Sequence, residues 1–405
     1  MLTKILPNDP VISSIARTPI GKYGGALSSL RPDDMLAMAM NACINRAKID
    51  RDLIEEVIAG CANQAGEDNR NIARMSSLIA GLNFKVSAIT INRLCASGLD
   101  AIIMAARMVI TGERSAVLAC GVESMSRAPY VLAKSTIPFS LGSPEIFDSS
   151  LGWRFYNEKL KETAPKEHNG DTAERLSEMY KITRTDQDIF ALNSHQKVIR
   201  AQEKNFFDAE IFPIEISKKN GEMVKLAKDE GPRIDTSIEA LSTLKPSFKN
   251  NGTVTAGNSS PLSDGAACAL VCSHSFAKKN NLPILGRILS FASAGVDPKT
   301  MGLGPVPATL KLLENSGLCI GDFEAIEINE AFSAQVLAVV KELGLQKEKI
   351  NQNGGAIALG HPLGCSGARL VITLLNHLIK NKLPLGLATL CVGVGQGVSI
   401  AIEAL

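Results

Sequence analysis

The chain has 405 residues, 45% of them apolar and 21% charged, with a formal net charge of +2. That is enough for a large buried core in about two to three domains. The nearly neutral balance gives no electrostatic case for nucleic acid or an acidic membrane surface, and no run approaches the roughly 18 apolar residues of a membrane span.

The elements follow in chain order. Asp34 to Ala47 has the apolar period of a helix, Leu53 to Ile58 reads as a helical turn feeding a strand, and Ile89 to Ile91 as a second strand. The turn Asn92-Arg93-Leu94-Cys95-Ala96-Ser97-Gly98 leads into a helix over Ser97 to Gly112, followed by the buried strand Ala116 to Gly121. From about Ser126 to Pro261 the chain becomes richer in charge and proline. This stretch holds the only tryptophan, Trp153, the polar helices Thr172 to Tyr180 and Asp186 to Asn205, and a small-residue loop from Gly252 to Pro261. The earlier rhythm then returns with a helix at Ala308 to Ser316 and a turn and strand at Phe323 to Ile328. After these come Asn329-Glu330-Ala331-Phe332, the Gly-rich loop Gly354 to Pro362, a helix over Ala368 to Ile379, and the strand Gly386 to Cys391.

Two segments repeat one plan. Ser97-Gly98 and Ser366-Gly367 lie 269 residues apart, and so do Val57 and Ile326. A fixed offset over several elements is the mark of duplication. Alternating apolar strands and amphipathic helices predict an α/β fold of mostly parallel sheets covered by helices. We divide the chain into an N-terminal half (1–125 with 262–283), an inserted loop domain (126–261) and a C-terminal half (284–405). A site is expected where loops of the two copies meet across a pseudo-twofold axis.

Three motifs carry chemistry. Cys95 falls at a strand-to-helix turn, where free amides and the helix dipole stabilise a thiolate; an inert core cysteine is the other reading. His361, between Gly360 and Pro362, is placed to act as a base, or is simply packed at a turn. Cys391 enters Val392-Gly393-Val394-Gly395-Gln396-Gly397, whose amides can approach a ligand and build an oxyanion hole. Asn329 could donate to a developing oxyanion or cap the helix that follows. The nine cysteines show no C-x-x-C pairing and fit reduced core thiols in a reducing compartment. The first ten residues lack a signal-peptide core, and Glu403-Ala404-Leu405 is not a peroxisomal tripeptide. A cytoplasmic location is expected.

With Cys95-Ala96-Ser97-Gly98, Asn329 to Phe332, Gly354 to Gly367 and Cys391 to Gly397 in this order, the chain resembles the thiolases, acetyl-CoA C-acyltransferases, along almost its whole length. The resemblance implies a duplicated five-layer α-β-α-β-α core with an inserted loop domain. It implies ping-pong thiolysis of a 3-oxoacyl-CoA, with Cys95 as nucleophile, His361 as base and Cys391 as acid. One oxyanion site would use Asn329 and His361, the other the amides of Cys95 and Gly393. Ser260, His168 and Arg233 match CoA contacts, and Phe248 and Phe332 match aromatic positions beside the pantetheine. Coenzyme A enters as a substrate and no permanent cofactor or metal is implied. The expected partners are CoA and acyl-CoA, in a homotetramer built as a dimer of dimers.

The Gly60 to Asn69, Gly121 to Tyr130 and Gly152-Trp153-Arg154-Phe155 segments resemble the 3-oxoadipyl-CoA branch, whereas His168-Asn169-Gly170 departs from it. Arg154 is either a reader of a distal carboxylate or a solvated cation. The competing readings are an acetoacetyl-CoA thiolase, a decarboxylating condensing enzyme, a non-catalytic acyl-CoA or lipid binder, and a cysteine hydrolase.

Overall fold

The computed structural model describes residues 4–217 and 221–405. A ten-stranded sheet carries the fold. Its longer strands are β1 (Pro10–Arg17), β2 (Glu56–Gly60), β3 (Ser87–Ile91), β4 (Ala116–Ser124), β5 (Ser263–Ser273), β6 (Gly286–Gly295), β7 (Ala325–Ile328), β8 (Leu385–Val392) and β9 (Gln396–Ala404). They lie in the order β7-β8-β9-β6-β1-β5-β4-β2-β3, and the short Gly21–Lys22 strand pairs with β5. The sequence β2-β4-β5-β1 on one side is matched by β7-β8-β9-β6 on the other, and the two meet only through Val11 opposite Arg287 and Ile12 opposite Gly286.

The principal helices are α1 (Pro32–Ala47), α2 (Ile72–Ile79), α3 (Ser97–Ile110), α4 (Asn169–Tyr180), α5 (Arg184–Glu203), α6 (Pro305–Ser316), α7 (Ser333–Leu343) and α8 (Leu363–Asn381). Strand periodicity sorts the side chains into layers. In β5, Cys268, Leu270 and Cys272 face α1, whereas Ala267, Ala269 and Val271 join the core around α3 and α8. In β8, Leu385 and Leu387 face the core shared with α6 and α7, whereas Ala388, Leu390 and Val392 face α3 and α8. The result is helix, sheet, helix, sheet, helix, with α3 and α8 in the buried middle layer. Those two approach closely because Gly98 has no side chain: a Cβ there would stand 2.5 Å from the Gly364 carbonyl oxygen.

The strand directions correct one expectation. Only β2·β3, β2·β4 and β7·β8 pair parallel; the pairings of β1 with β5 and β6, of β5 with β4, and of β9 with β6 and β8 are antiparallel. A strand buried on both faces is continuously apolar in either direction, so composition cannot tell the two apart.

The stretch between β4 and β5 is fastened to the core by buried charge. Arg17 on β1 pairs through Nε with Glu210 at 2.8 Å and through Nη1 with Asp229 at 2.7 Å. In the same stretch α4 packs on α7, and α5 packs on the short turn Ala356–Leu359 that precedes His361.

Candidate active site

The Cys95 turn is locally determined. After β3, Asn92 Oδ1 accepts the Leu94 amide at 2.8 Å, and Ser97 Oγ accepts the Arg93 amide at 2.9 Å while donating to the Leu94 carbonyl at 2.7 Å. This winds Leu94 into left-handed backbone at φ +46° and turns Cys95 inward at the start of α3. Left-handed backbone costs an ordinary residue about 1–2 kcal/mol, and such strain gathers at functional sites. Arg93, paired with Asp100, also donates from Nη1 to Gln396 Oε1 at 2.7 Å, tying the turn to the hairpin between β8 and β9. At that hairpin tip Val394 (φ +62°) and Gly395 (φ +81°) are both left-handed, as a tight hairpin turn of this hand requires.

Across this junction the Gly393 amide lies close enough to Cys95 to favour its charged form. Cys391 lies close enough that a charge on Cys95 raises its own pKa, and it packs among Met301, Ala331 and Phe332. His361 follows the Ala356–Leu359 turn and immediately precedes α8. Its Nδ1 is 2.6 Å from Ser366 Oγ, and that hydroxyl donates to the Pro362 carbonyl at 2.9 Å. The hydroxyl is therefore the acceptor for Nδ1–H, which leaves Nε2 as the basic nitrogen. Asn329 Nδ2–H donates to that Nε2 at 3.3 Å. Asn329 comes directly after β7, its amide bonded to the Thr389 carbonyl at 3.0 Å. Helix α7 begins only at Ser333, so Asn329 does not cap it.

Burial dominates the electrostatics. It pushes the Cys95 thiol up to about 11, against the lowering effect of the Gly393 amide and its own, with Glu123 adding to the rise. Burial thus works against a resting thiolate, opposing the two amides at the helix start. Burial, aided by Arg369, holds His361 down to about 3, so the ring is neutral and available as a base. Cys391 is driven far above the ordinary thiol range, first by burial and then by Cys95. The two thiols and the imidazole are all buried and resist charge, so charge appears at any of them only when a proton moves.

Three supporting residues escaped the sequence reading. Ser366 sits in the repeated Ser-Gly pair, and that repeat was its only signal. Glu330 accepts from Ser194 Oγ (2.6 Å), Asn351 Nδ2 (2.8 Å) and the Ile357 amide (3.1 Å), and so fixes the loop carrying His361. Glu123, at the end of β4, accepts the Ala62, Asn63 and Gly364 amides at 2.9, 3.1 and 2.8 Å. It bridges the two halves, and its only signal was an acid in an otherwise apolar strand. Cys61, Asp68 and Glu123 cluster here, but the Asp68 oxygens are likewise engaged, by the Gln64 and Gly66 amides. The cluster acts as a clamp on backbone.

Of the residues matched to CoA contacts, His168, Phe248 and Phe332 form a chain of rings with centroids 6.3 and 6.0 Å apart. Ser260 joins them through its amide on the Ala331 carbonyl at 3.0 Å. Arg233 is exposed and its amide donates to His195 Nδ1 at 3.1 Å; no hydrogen bond or ring contact joins it to that group among the described residues. Arg154 is half-buried and donates to the Ser149 carbonyl and to the Asn63 carbonyl and Oδ1 at 3.1–3.3 Å, with no carboxylate partner among the described residues.

Residues 10–275 match the family model of the thiolase N-terminal domain, and residues 282–404 that of the thiolase C-terminal domain. The chain belongs to the thiolase family. It is an acyltransferase. A beta-ketoadipyl-CoA thiolase of Pseudomonas aeruginosa is 50% identical over 395 residues, covering 97% of this chain and 98% of that protein. The crystal structure of the Bacillus anthracis acetyl-CoA acetyltransferase superposes with a TM-score of 0.93 at 42% identity, over 98% of this thiolase and 99% of that chain. Human mitochondrial 3-ketoacyl-CoA thiolase in complex with CoA gives 0.92 at 36% identity, with both chains fully covered.

Proposed function

We propose that this thiolase cleaves a 3-oxoacyl-CoA carrying a distal carboxylate, 3-oxoadipyl-CoA, with CoA as the second substrate. Support comes from the 50% identity to a beta-ketoadipyl-CoA thiolase over nearly the whole chain, together with the complete set Cys95, His361, Cys391 and Asn329. The Cys95 proton passes to His361 Nε2 as sulfur bonds the 3-keto carbon. Negative charge on that oxygen is met by the amides of Cys95 and Gly393. The C2–C3 bond then breaks, its electron pair forms the enolate of acetyl-CoA, and Cys391 gives that carbon its proton. Asn329, through a water, and His361 receive the enolate oxygen. In the second half the CoA thiol returns a proton to Cys391 and attacks the acyl carbon. Cys95 leaves and recovers its proton from His361, which restores the starting state. A water-poor site lets these proton transfers replace stable ions.

His168, Phe248, Phe332 and Ser260 form the proposed pantetheine wall, with Arg233 further out. A homotetramer is supported by two surfaces. Strand β3 ends the sheet with one edge unpaired and carries the exposed Ile89, with Leu78, Ile79 and Phe84 exposed nearby in sequence. The stretch after β4 exposes Tyr130, Leu132, Ile137, Phe139 and Leu141. Open edges and apolar patches of this kind call for a partner. A cytoplasmic location fits the nine unpaired thiols.

Acetoacetyl-CoA thiolysis is the second reading, favoured by the likeness to the Bacillus anthracis acetyl-CoA acetyltransferase. A thiolysis panel of acetoacetyl-, 3-oxohexanoyl-, 3-oxopalmitoyl- and 3-oxoadipyl-CoA decides between them. The highest kcat/KM is expected for 3-oxoadipyl-CoA, and a preference for acetoacetyl-CoA would overturn the dicarboxylyl reading.

A further inference from the structure

Asn169 opens α4, and its side chain is exposed toward the hairpin tip rather than into the core. Its Nδ2 and Oδ1 each lie 3.8 Å from the point where a Cβ on Gly393 would stand, and Leu94 Cδ1 lies 3.3 Å from the same point. The Gly393 amide in turn lies close enough to the Cys95 thiol to favour its charged form. The carboxamide therefore borders the turn whose amide reaches the Cys95 thiol, and it makes no hydrogen bond to any other described residue. Neighbouring contacts hold this position. Gly170 lies against the Phe248 ring, where a Cβ would clash at 2.2 Å, and Trp153 Nε1 donates to the Glu167 carbonyl at 3.2 Å. The loop fixed by Trp153 also carries Arg154, whose charge has no carboxylate partner among the described residues.

Bond lengths supply the scale. A four-carbon dicarboxylyl group on Cys95, extended, puts its far carboxylate roughly 6 Å from the sulfur, far enough to pass the next residue of a neighbouring turn. We propose that Asn169 sets acyl-chain selectivity: its Nδ2–H donates to a carboxylate at the far end of the acyl group held on Cys95. The inference rests on the dicarboxylyl reading above. A free carboxamide is neutral, so it greets a carboxylate without the desolvation cost of burying a lone cation, while Arg154 adds positive potential from the adjoining loop.

The test compares two substrates of equal chain length, 3-oxoadipyl-CoA and 3-oxohexanoyl-CoA, which differ at the far end as carboxylate and methyl. The readout is the ratio of their kcat/KM values. Asn169→Leu removes the donor and should lower the ratio about tenfold or more, the usual weight of a hydrogen bond to a charged group. Asn169→Asp keeps the shape but opposes like charges, and should lower it further. Arg154→Gln should lower it only a fewfold. An unchanged ratio in both Asn169 variants overturns the proposal, as does a fall confined to Arg154→Gln. If wild type prefers 3-oxohexanoyl-CoA, the dicarboxylyl reading itself has failed; if wild type prefers 3-oxoadipyl-CoA and the Asn169 ratios hold, only the role of Asn169 has.

Discussion

The two halves place the same elements 269 residues apart and use them for different work. Ser97 and Ser366 occupy matching positions, and each staples the turn before its helix: Ser97 to Arg93 and Leu94, Ser366 to Pro362 and His361. One turn thereby presents a thiol and the other an imidazole. The ends of β4 and β8 diverge further. Glu123 clamps the Gly364 amide at the start of α8, whereas the turn after β8 brings the Gly393 amide near Cys95, the residue that matches Gly364. Duplication supplied one scaffold twice. The copies then diverged, one end becoming a clamp on backbone and the other a glycine turn, so that each reaches into its partner's loop.

Breaking the reactive side should have the largest effect. Cys95→Ala should abolish acyl transfer, and incubation with acetyl-CoA should then add no acetyl mass to the protein. His361→Ala and Cys391→Ala should each lose about three or more orders of magnitude in kcat, since members of one acting unit are not additive. Near-normal thiolysis by Cys391→Ala would remove it from the acid role.

Loosening the clamp comes next. Glu123→Gln sets an NH2 against one of three inward-pointing amides, at a cost of about 1–3 kcal/mol. Chemical denaturation should show that loss, and kcat should fall because the His361 and Cys95 turns no longer share one anchor. Full activity in a destabilised Glu123→Gln protein would make the clamp a matter of stability alone.

A pH series sharpens the contrast between buried acids and buried base. Burial raises Glu123 to about 7 and, despite Arg369, Glu327 to about 8. Both groups keep their protons in the folded chain at pH values where the unfolded chain has lost them. Their contribution is thus fully present below about pH 4.5 and is lost as pH rises through 7 and 8. Glu327→Gln should flatten that decline when Tm is followed from pH 5 to 9. His361, held near 3, should meanwhile leave the rate of Cys95 acetylation with no step at the ordinary imidazole pKa.

The smallest effect belongs to the hairpin. A β-branched residue in left-handed backbone is disfavoured, so Val394→Gly should relieve strain and raise stability by up to about 1 kcal/mol, with little change in kcat. Thermal unfolding would show it.

Much of this was legible in the residues themselves. The 269-residue offset, the four motifs and the alternation of apolar strand and amphipathic helix follow from local periodicity and residue type, and a single chain displays both. They sufficed for the layered fold and the family, and they singled out Cys95, His361 and Cys391 as the candidates for the reaction. Three things needed the tertiary structure. Strand direction did, because a strand buried on both faces is equally apolar either way. The balance of forces on Cys95 did, because a helix start favours a thiolate while burial, visible only in the folded chain, opposes it. The roles of Glu123, Glu330, Ser366 and Asn169 did as well, since each partner lies far along the chain or across a turn. Local chemistry is written in order along the polypeptide, but desolvation and long-range hydrogen bonding exist only once distant segments have closed around a group.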